Sequence, residues 1–314
     1  MVLKAGIFML VAWYIYRLLT EKRALSDFNE LIVNVSPSVI ISSLTVVLLL
    51  MLINWFTESL KWQYICLQFQ PITLAKAIES VLCGLAWAVF TPNRIGEYGG
   101  RVLFLMPRKR VYGIIGMTVG AISLMVITNV LGALAICWFV ASYLELKGIW
   151  MVGLVVLAFV YASFFLVLYF NIGVINKLLL KIKFLKKFER FFSLLLRYKK
   201  KELRRVFGYS LIRYVVFTSQ YCLLLQVFIA ELPFLEMVLM IFILFFVQSA
   251  LPSLDLFDIG VRGVTANYFF GFLTNQQIAV MAIVGCIWLI NLIIPAVIGS
   301  VFTFKINFFG PNHS

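Results

Sequence analysis

The sequence predicts an all-α fold: a polytopic integral membrane bundle of about eight spans, with two broken or re-entrant segments. Three observations carry that expectation. Of 314 residues, 63% are hydrophobic and only 13% charged, more apolar surface than a water-soluble domain can bury. The apolar runs are continuous, not alternating, and many approach the roughly 20 residues of a membrane-crossing helix. Two polar runs, residues 91–101 and 252–263, each directly follow a short apolar segment and carry a proline near their start. Lipid offers the backbone no hydrogen-bond partners, so only helices or closed barrels span it, and continuous runs select helices.

The expected spans are Val2–Leu19, Ser38–Phe56, Ile72–Phe90, Tyr112–Val140, Ile149–Phe170, Val206–Phe228, Phe234–Leu251 and Ile278–Phe304. Together they make residues 1–314 one membrane domain. The first reads as a retained span because no small-residue cleavage site follows it. The third and seventh are short and run into the polar segments. A pair of interrupted segments at matching places is compatible with a two-fold internal repeat, and such a pair points to a transporter's binding site.

Charge orients the chain. The formal net charge is +14, and +10 of it sits between Asn171 and Arg205, where twelve lysines and arginines face only Glu189 and Glu202. A basic run also suits nucleic acid, but between spans the positive-inside rule explains it without a nucleic-acid partner. Residues 171–205 are therefore expected to be a cytoplasmic loop. Within it Leu178, Ile182, Leu185, Phe188, Phe192, Leu195 and Leu196 gather on one helical side and Lys183, Lys186, Lys187, Arg190 and Arg197 on the other. That pattern predicts an interfacial helix on the inner leaflet. Eight crossings would put Lys22, Arg23 and residues 94–110 inside, and both termini outside. The expected location is a cell inner membrane, multi-pass.

Each polar run places charges at i, i+3 and i+7: Arg94, Glu97 and Arg101 in the first, Asp255, Asp258 and Arg262 in the second. On a helix each set falls within an arc of about 60°. Ionisable groups at bilayer depth persist where they pair or face a cavity. Pro92 and Pro252 end the preceding apolar segments. Gly96, Gly99, Gly100 and Gly260 allow tight turns or close approach of another helix. The competing reading is a pair of ordinary interfacial loops. Glu58 and Lys61, one turn apart beside Trp55 and Trp62, read first as an interfacial anchor pair and second as cavity wall. Arg213 lies inside an apolar span and either snorkels to the surface or neutralises Asp255 or Asp258. Gln220, Gln248, Asn129, Asn267 and Asn291 read as interhelical hydrogen-bond glue.

Enzyme motifs are missing. There is no nucleophile elbow, Walker loop, zinc motif or dinucleotide fingerprint. The one histidine, His313, excludes a histidine-based metal site or triad, and five scattered cysteines read as small hydrophobes. No metal, cofactor or catalytic residue is expected.

The two polar runs resemble the signature of the lysylphosphatidylglycerol synthase transmembrane region family, flippase-like integral membrane proteins. Pro92, Arg94, Gly96, Glu97 and Arg101 match its first element; Pro252, Gly260, Val261 and Arg262 match its second. Gly263 stands where an acidic residue is common, with Asp258 one turn earlier. With the sequence reaching only to Ser314, the resemblance implies the membrane region without the soluble synthase domain, and hence lipid translocation without lipid synthesis.

The expected function is thus a flippase or lipid transporter, not an enzyme. Arg94, Arg101 and Arg262 would hold a phosphate headgroup. Glu97, Asp255 and Asp258 would balance them or meet the ammonium of an aminoacylated headgroup. Partners would be membrane lipids, anionic or aminoacylated; a homo-oligomer is compatible. Two alternatives stay open: a membrane-embedded transferase using Glu97 or Asp258 as base, and a non-transporting partner subunit.

Overall fold

The computed structural model describes residues 30, 33, 35–89, 91, 94–144, 146–182, 184, 189–250 and 255–304. Of these, 86% are helical and none is in a strand, which selects the helical solution over the barrel. Among the described residues, five helices are long and apolar enough to cross a membrane, as fits a membrane protein. The first expected span, Val2–Leu19, lies outside the described residues.

In chain order the elements are α1 (Pro37–Cys66), α2 (Leu74–Ala88), α3 (Ile95–Val102), a 3₁₀ turn (Pro107–Lys109) and α4 (Arg110–Tyr143). There follow α5 (Ile149–Phe170), α6 (Ile172–Lys181), α7 (Glu189–Phe192), a second 3₁₀ turn (Ser193–Arg197) and α8 (Lys200–Phe228). The chain continues with α9 (Phe234–Ala250), α10 (Asp255–Phe270), α11 (Gln277–Trp288), a π-helical stretch (Leu289–Ile293) and α12 (Ile294–Phe304). Pro37 starts α1 at the position where a missing N–H costs nothing. Thr73 caps α2, its hydroxyl accepting from the Lys76 N–H.

The long helix α1 has 30 residues. It runs beyond the expected boundary at Phe56 to Cys66, carrying Glu58, Lys61 and Trp62 into the core. Antiparallel α8 packs along it, with Gln220 donating to the Val47 carbonyl at 2.9 Å and Lys61 to the Ser210 hydroxyl at 3.4 Å. Helix α8 begins at Lys200, so the basic residues 200–205 are its first turns and not a separate surface element. The rest of the basic segment is divided between α6, α7 and the 3₁₀ turn, with Leu194 and Leu195 buried and Leu178, Ile182 and Leu196 exposed.

The short apolar segments are arms of hairpins. Helices α2 and α3 pack tightly together, and Gln63 and Gln70, just before α2, bond to the Ile72 carbonyl and the Met106 N–H at 3.1 and 3.0 Å. Both open ends therefore lie at the C-terminal end of α1, beside Tyr198, whose hydroxyl donates to the Ile65 carbonyl. A single traverse of the bundle by Ile72–Phe90 cannot bring those ends together, so the expected crossing there is corrected to a hairpin. Helices α9 and α10 do the same from the opposite end. Tyr143, closing α4, donates to Glu236 at 3.1 Å, and Phe139 and Tyr143 pack on Phe272. Helix α12 runs antiparallel to α2, with Leu292 and Ala296 on Val89 and Thr303 at 3.5 Å from Cys83. It therefore heads toward the end that holds the basic segment, opposite to the expected outer C-terminus.

Two glycines set how closely α2 and α3 approach. A methyl at Gly100 would lie 2.7 Å from the Gly84 Cα, and one at Gly84 would lie 2.9 Å from the Glu97 carbonyl oxygen. An eight-residue helix is too short to persist alone, so this backbone contact is what holds α3 in place. Gly100→Ala is expected to destabilise the protein by about 1–3 kcal/mol, as an overpacked contact does. Gly153→Ala, where nothing lies within 4 Å, should instead gain up to about 1 kcal/mol of helix propensity. Thermal unfolding of both variants in one detergent checks the opposite signs.

Candidate functional site

Three helices meet at a buried group of charges. From α1 come Asn54, Glu58 and Lys61, spaced i, i+4 and i+7 and so on one face. From α3 come Glu97 and Arg101, one turn apart, with Arg94 as the residue before its first turn. From α8 comes Arg213. Glu58, Lys61 and Arg101 are 5%, 3% and 3% exposed, a depth at which an unpaired charge is not tolerated.

Glu58 is the hub. Its Oε1 accepts from Arg101 at 2.8 Å, and its Oε2 accepts from Lys61 at 2.7 Å and from Arg213. Arg101 also binds Glu97, which in turn pairs with Arg94 at 3.2 Å. Arg213 donates through Nε to Asn54 at 2.9 Å, and its guanidinium lies 5.0 Å from the centroid of the Trp55 ring. A polar chain continues from Asn54 to Asn291 at 3.5 Å and on to Gln220 at 3.0 Å. Among the described side chains, four cations thus share two carboxylates.

Arg94 has φ 56°, ψ 27°, the one non-glycine residue with positive φ among the described residues. That conformation costs of order 1–3 kcal/mol and persists only when the surroundings enforce it. Thr91 supplies part of the enforcement by accepting from the Gly96 N–H at 2.7 Å, and a methyl on Gly96 would collide with the Trp87 carbonyl. The result aims Arg94 at the junction of two cavities.

The larger cavity, of about 270 Å³, is bounded by Arg94, Arg213, Gln248, Ser249, Arg262 and Asn291, with Trp55, Tyr214, Phe217 and Trp288 as apolar walls. The smaller, of about 150 Å³, lies toward Glu58, Lys61, Glu97 and Arg101. Arg94 and Arg213 line both. Arg262, on α10, donates to Gln248 on α9 at 2.8 Å.

The first charge set, Arg94, Glu97 and Arg101, therefore gathers with Glu58, Lys61 and Arg213, and Arg262 faces the same cavity as Arg94. Arg101 turns instead toward the two carboxylates. Asp255 and Asp258 belong to the first turns of α10, and their side chains lie outside the described residues, as do Pro92 and Pro252. Gly260 is buried on α10, and Gly99 rests on the Trp87 ring. Glu58 and Lys61 do pair, but inside the protein, which corrects the interfacial-anchor reading. Arg213 is paired with Glu58, so snorkelling does not describe it. Ser210, Thr128, Tyr214 and Trp288 were not singled out from sequence; no charge or spacing marks them among their neighbours. Among the described residues no group of histidine, cysteine, aspartate and glutamate is placed to hold a metal.

The chain matches no known family profile, and no characterised protein matches it in sequence.

Replacing Glu58 by Gln leaves three buried cations short of an anion, a change that costs about 3–5 kcal/mol when one partner of a buried pair is removed. The double variant Glu58→Gln with Lys61→Met should recover part of that loss, because a stranded cation goes with it. Unfolding curves for the two variants and the parent test this; equal stability of the single variant and the parent would contradict the hub.

Proposed function

We propose that this chain is a multi-pass inner-membrane protein that binds an anionic lipid headgroup in its central cavity and carries it between leaflets. The observation that supports this most directly is the convergence of Arg94, Arg213 and Arg262 on one cavity. Guanidinium groups match phosphate oxygens in planar, charge-assisted pairs.

The architecture suits the same reading. With the basic segment in the cytoplasm, α2–α3 would be re-entrant from the inside and α9–α10 from the outside. The two halves then share an order of long helix, hairpin, long helix. Their packing is also reciprocal: α2 lies on α12, and α9 lies on α4. Inverted halves whose broken segments meet at mid-depth are a recurring transporter plan. The resemblance to the lysylphosphatidylglycerol synthase transmembrane region belongs to this proposal, with Arg213 added to the phosphate-facing set and Arg101 given the task of holding Glu58 and Glu97.

The transferase alternative asks Glu97 or Asp258 to act as a base, and the Asp258 side chain lies outside the described residues. Arg94 and Arg101 both engage the Glu97 carboxylate, which favours binding and movement over bond-making at that residue.

In phosphatidylcholine vesicles doped with phosphatidylglycerol, the reconstituted protein should speed exchange of the anionic lipid between leaflets. Arg94→Ala and Arg262→Ala should each slow it by roughly 10–100-fold, the range that one charge-assisted contact of about 1.5–3 kcal/mol carries. Arg190→Ala, away from the cavity, should not. Exchange no faster than in protein-free vesicles, with and without an ion gradient, would refute the proposal; a new covalent lipid product would select the transferase.

A further inference from the structure

The polar cavity has an apolar neighbour. Between α1 and α2 lies a groove of about 400 Å³, walled by Leu52, Ile53 and Phe56 on one side and by Ile78 and Leu82 on the other. The α1 wall is open, with Leu52, Ile53 and Phe56 about half exposed. The α2 wall is braced from behind, because α12 crosses so closely at Gly299 that a methyl there would strike the Leu82 carbonyl. Among the described residues, no charged side chain lines the groove.

One side chain borders both spaces. Trp55 lines the groove and both polar cavities. On its polar side stands Arg213, and its indole N–H donates to the Asn291 carbonyl at 3.1 Å within the π-helical stretch. A single indole is therefore the partition between a space suited to an anion and a space suited to a methylene chain. An amphipathic ligand needs both, side by side.

We propose that Trp55 is a lateral gate: its indole turns aside so that a bilayer lipid's headgroup enters the arginine-lined cavity while one acyl chain stays in the α1–α2 groove. This rests on the anion-binding reading of the cavity and adds the route of entry and the second half of the ligand. The swing gives up one N–H···O bond and one cation–π contact. An incoming phosphate compensates Arg213 for the lost ring. The π-helical stretch opposite is a local irregularity of the kind that recurs at functional sites.

Two groove-filling variants, Ile78→Trp and Leu52→Trp, test the gate; Leu52 is the more exposed and the safer for folding. Two readouts are compared with the parent. One is calorimetric binding of sn-glycerol 3-phosphate to the detergent-purified protein. The other is leaflet exchange, in phosphatidylcholine vesicles, of phosphatidylglycerol carrying a fluorophore on one acyl chain and none on the other. The expected result is unchanged glycerol phosphate affinity with exchange slowed at least about tenfold, or about 1.4 kcal/mol of barrier. Unchanged exchange in both variants overturns the gate. Loss of glycerol phosphate binding in both overturns the role of Trp55 as a partition. A parent protein that binds glycerol phosphate but moves no lipid also overturns the gate, since the anion then enters from water. A parent that does neither removes the anion site itself.

Discussion

The Glu58 carboxylate is the constraint on which the centre of this molecule depends. It sits almost fully out of solvent, surrounded by Lys61, Arg101 and Arg213 from three different helices. None of those cations could be buried where it is without a counter-charge, and one carboxylate serves all three. Helices α1, α3 and α8 are thereby fixed in mutual register by a single group. The arrangement is not a source of large net stability, because desolvating the ions offsets much of their attraction. Its effect is specificity: few other packings of these helices would leave each charge with a partner.

That register is what gives the hairpin tip its direction. Helix α3 is short and glycine-rich, and its position comes from the close backbone contact of Gly100 with Gly84. The contact sets where α3 lies, and Arg101 sets how it is rotated, since its guanidinium must reach both Glu58 and Glu97. With that rotation fixed, the residue before the helix, Arg94, is left at the cavity junction in a left-handed backbone conformation. A local strain of this kind survives because the surrounding contacts are stronger than it is.

Some of this was legible in the amino-acid sequence. The helical class followed from composition, and the i, i+3, i+7 spacing of Arg94, Glu97 and Arg101 marked a charged face that does gather at one place. Direction was not legible. A hydropathy window counts apolar residues but does not tell a crossing from one arm of a hairpin, so Ile72–Phe90 read as a traverse. The rank of Glu58 was hidden for a related reason. Beside Trp55 and Trp62 it has the local signature of a membrane-interface anchor, and only the position of α8, more than a hundred residues later, puts Arg213 against it. The i, i+4, i+7 spacing of Asn54, Glu58 and Lys61 was the available signal, outweighed by flanking tryptophans.

On the proposed reading, this centre would have to both admit and release an anion. Were every guanidinium matched by its own carboxylate, an arriving anion would have to displace one of them and bind weakly. Were none matched, the folded protein would carry an intolerable buried charge before the ligand came. Here Arg101 and Lys61 are bound to Glu58 and Glu97, while Arg94, Arg213 and Arg262 line the larger cavity. Five donors on each guanidinium allow such sharing. Glu58 joins the two groups, pairing with Arg101 and Lys61 on one side and with Arg213, which borders the cavity, on the other.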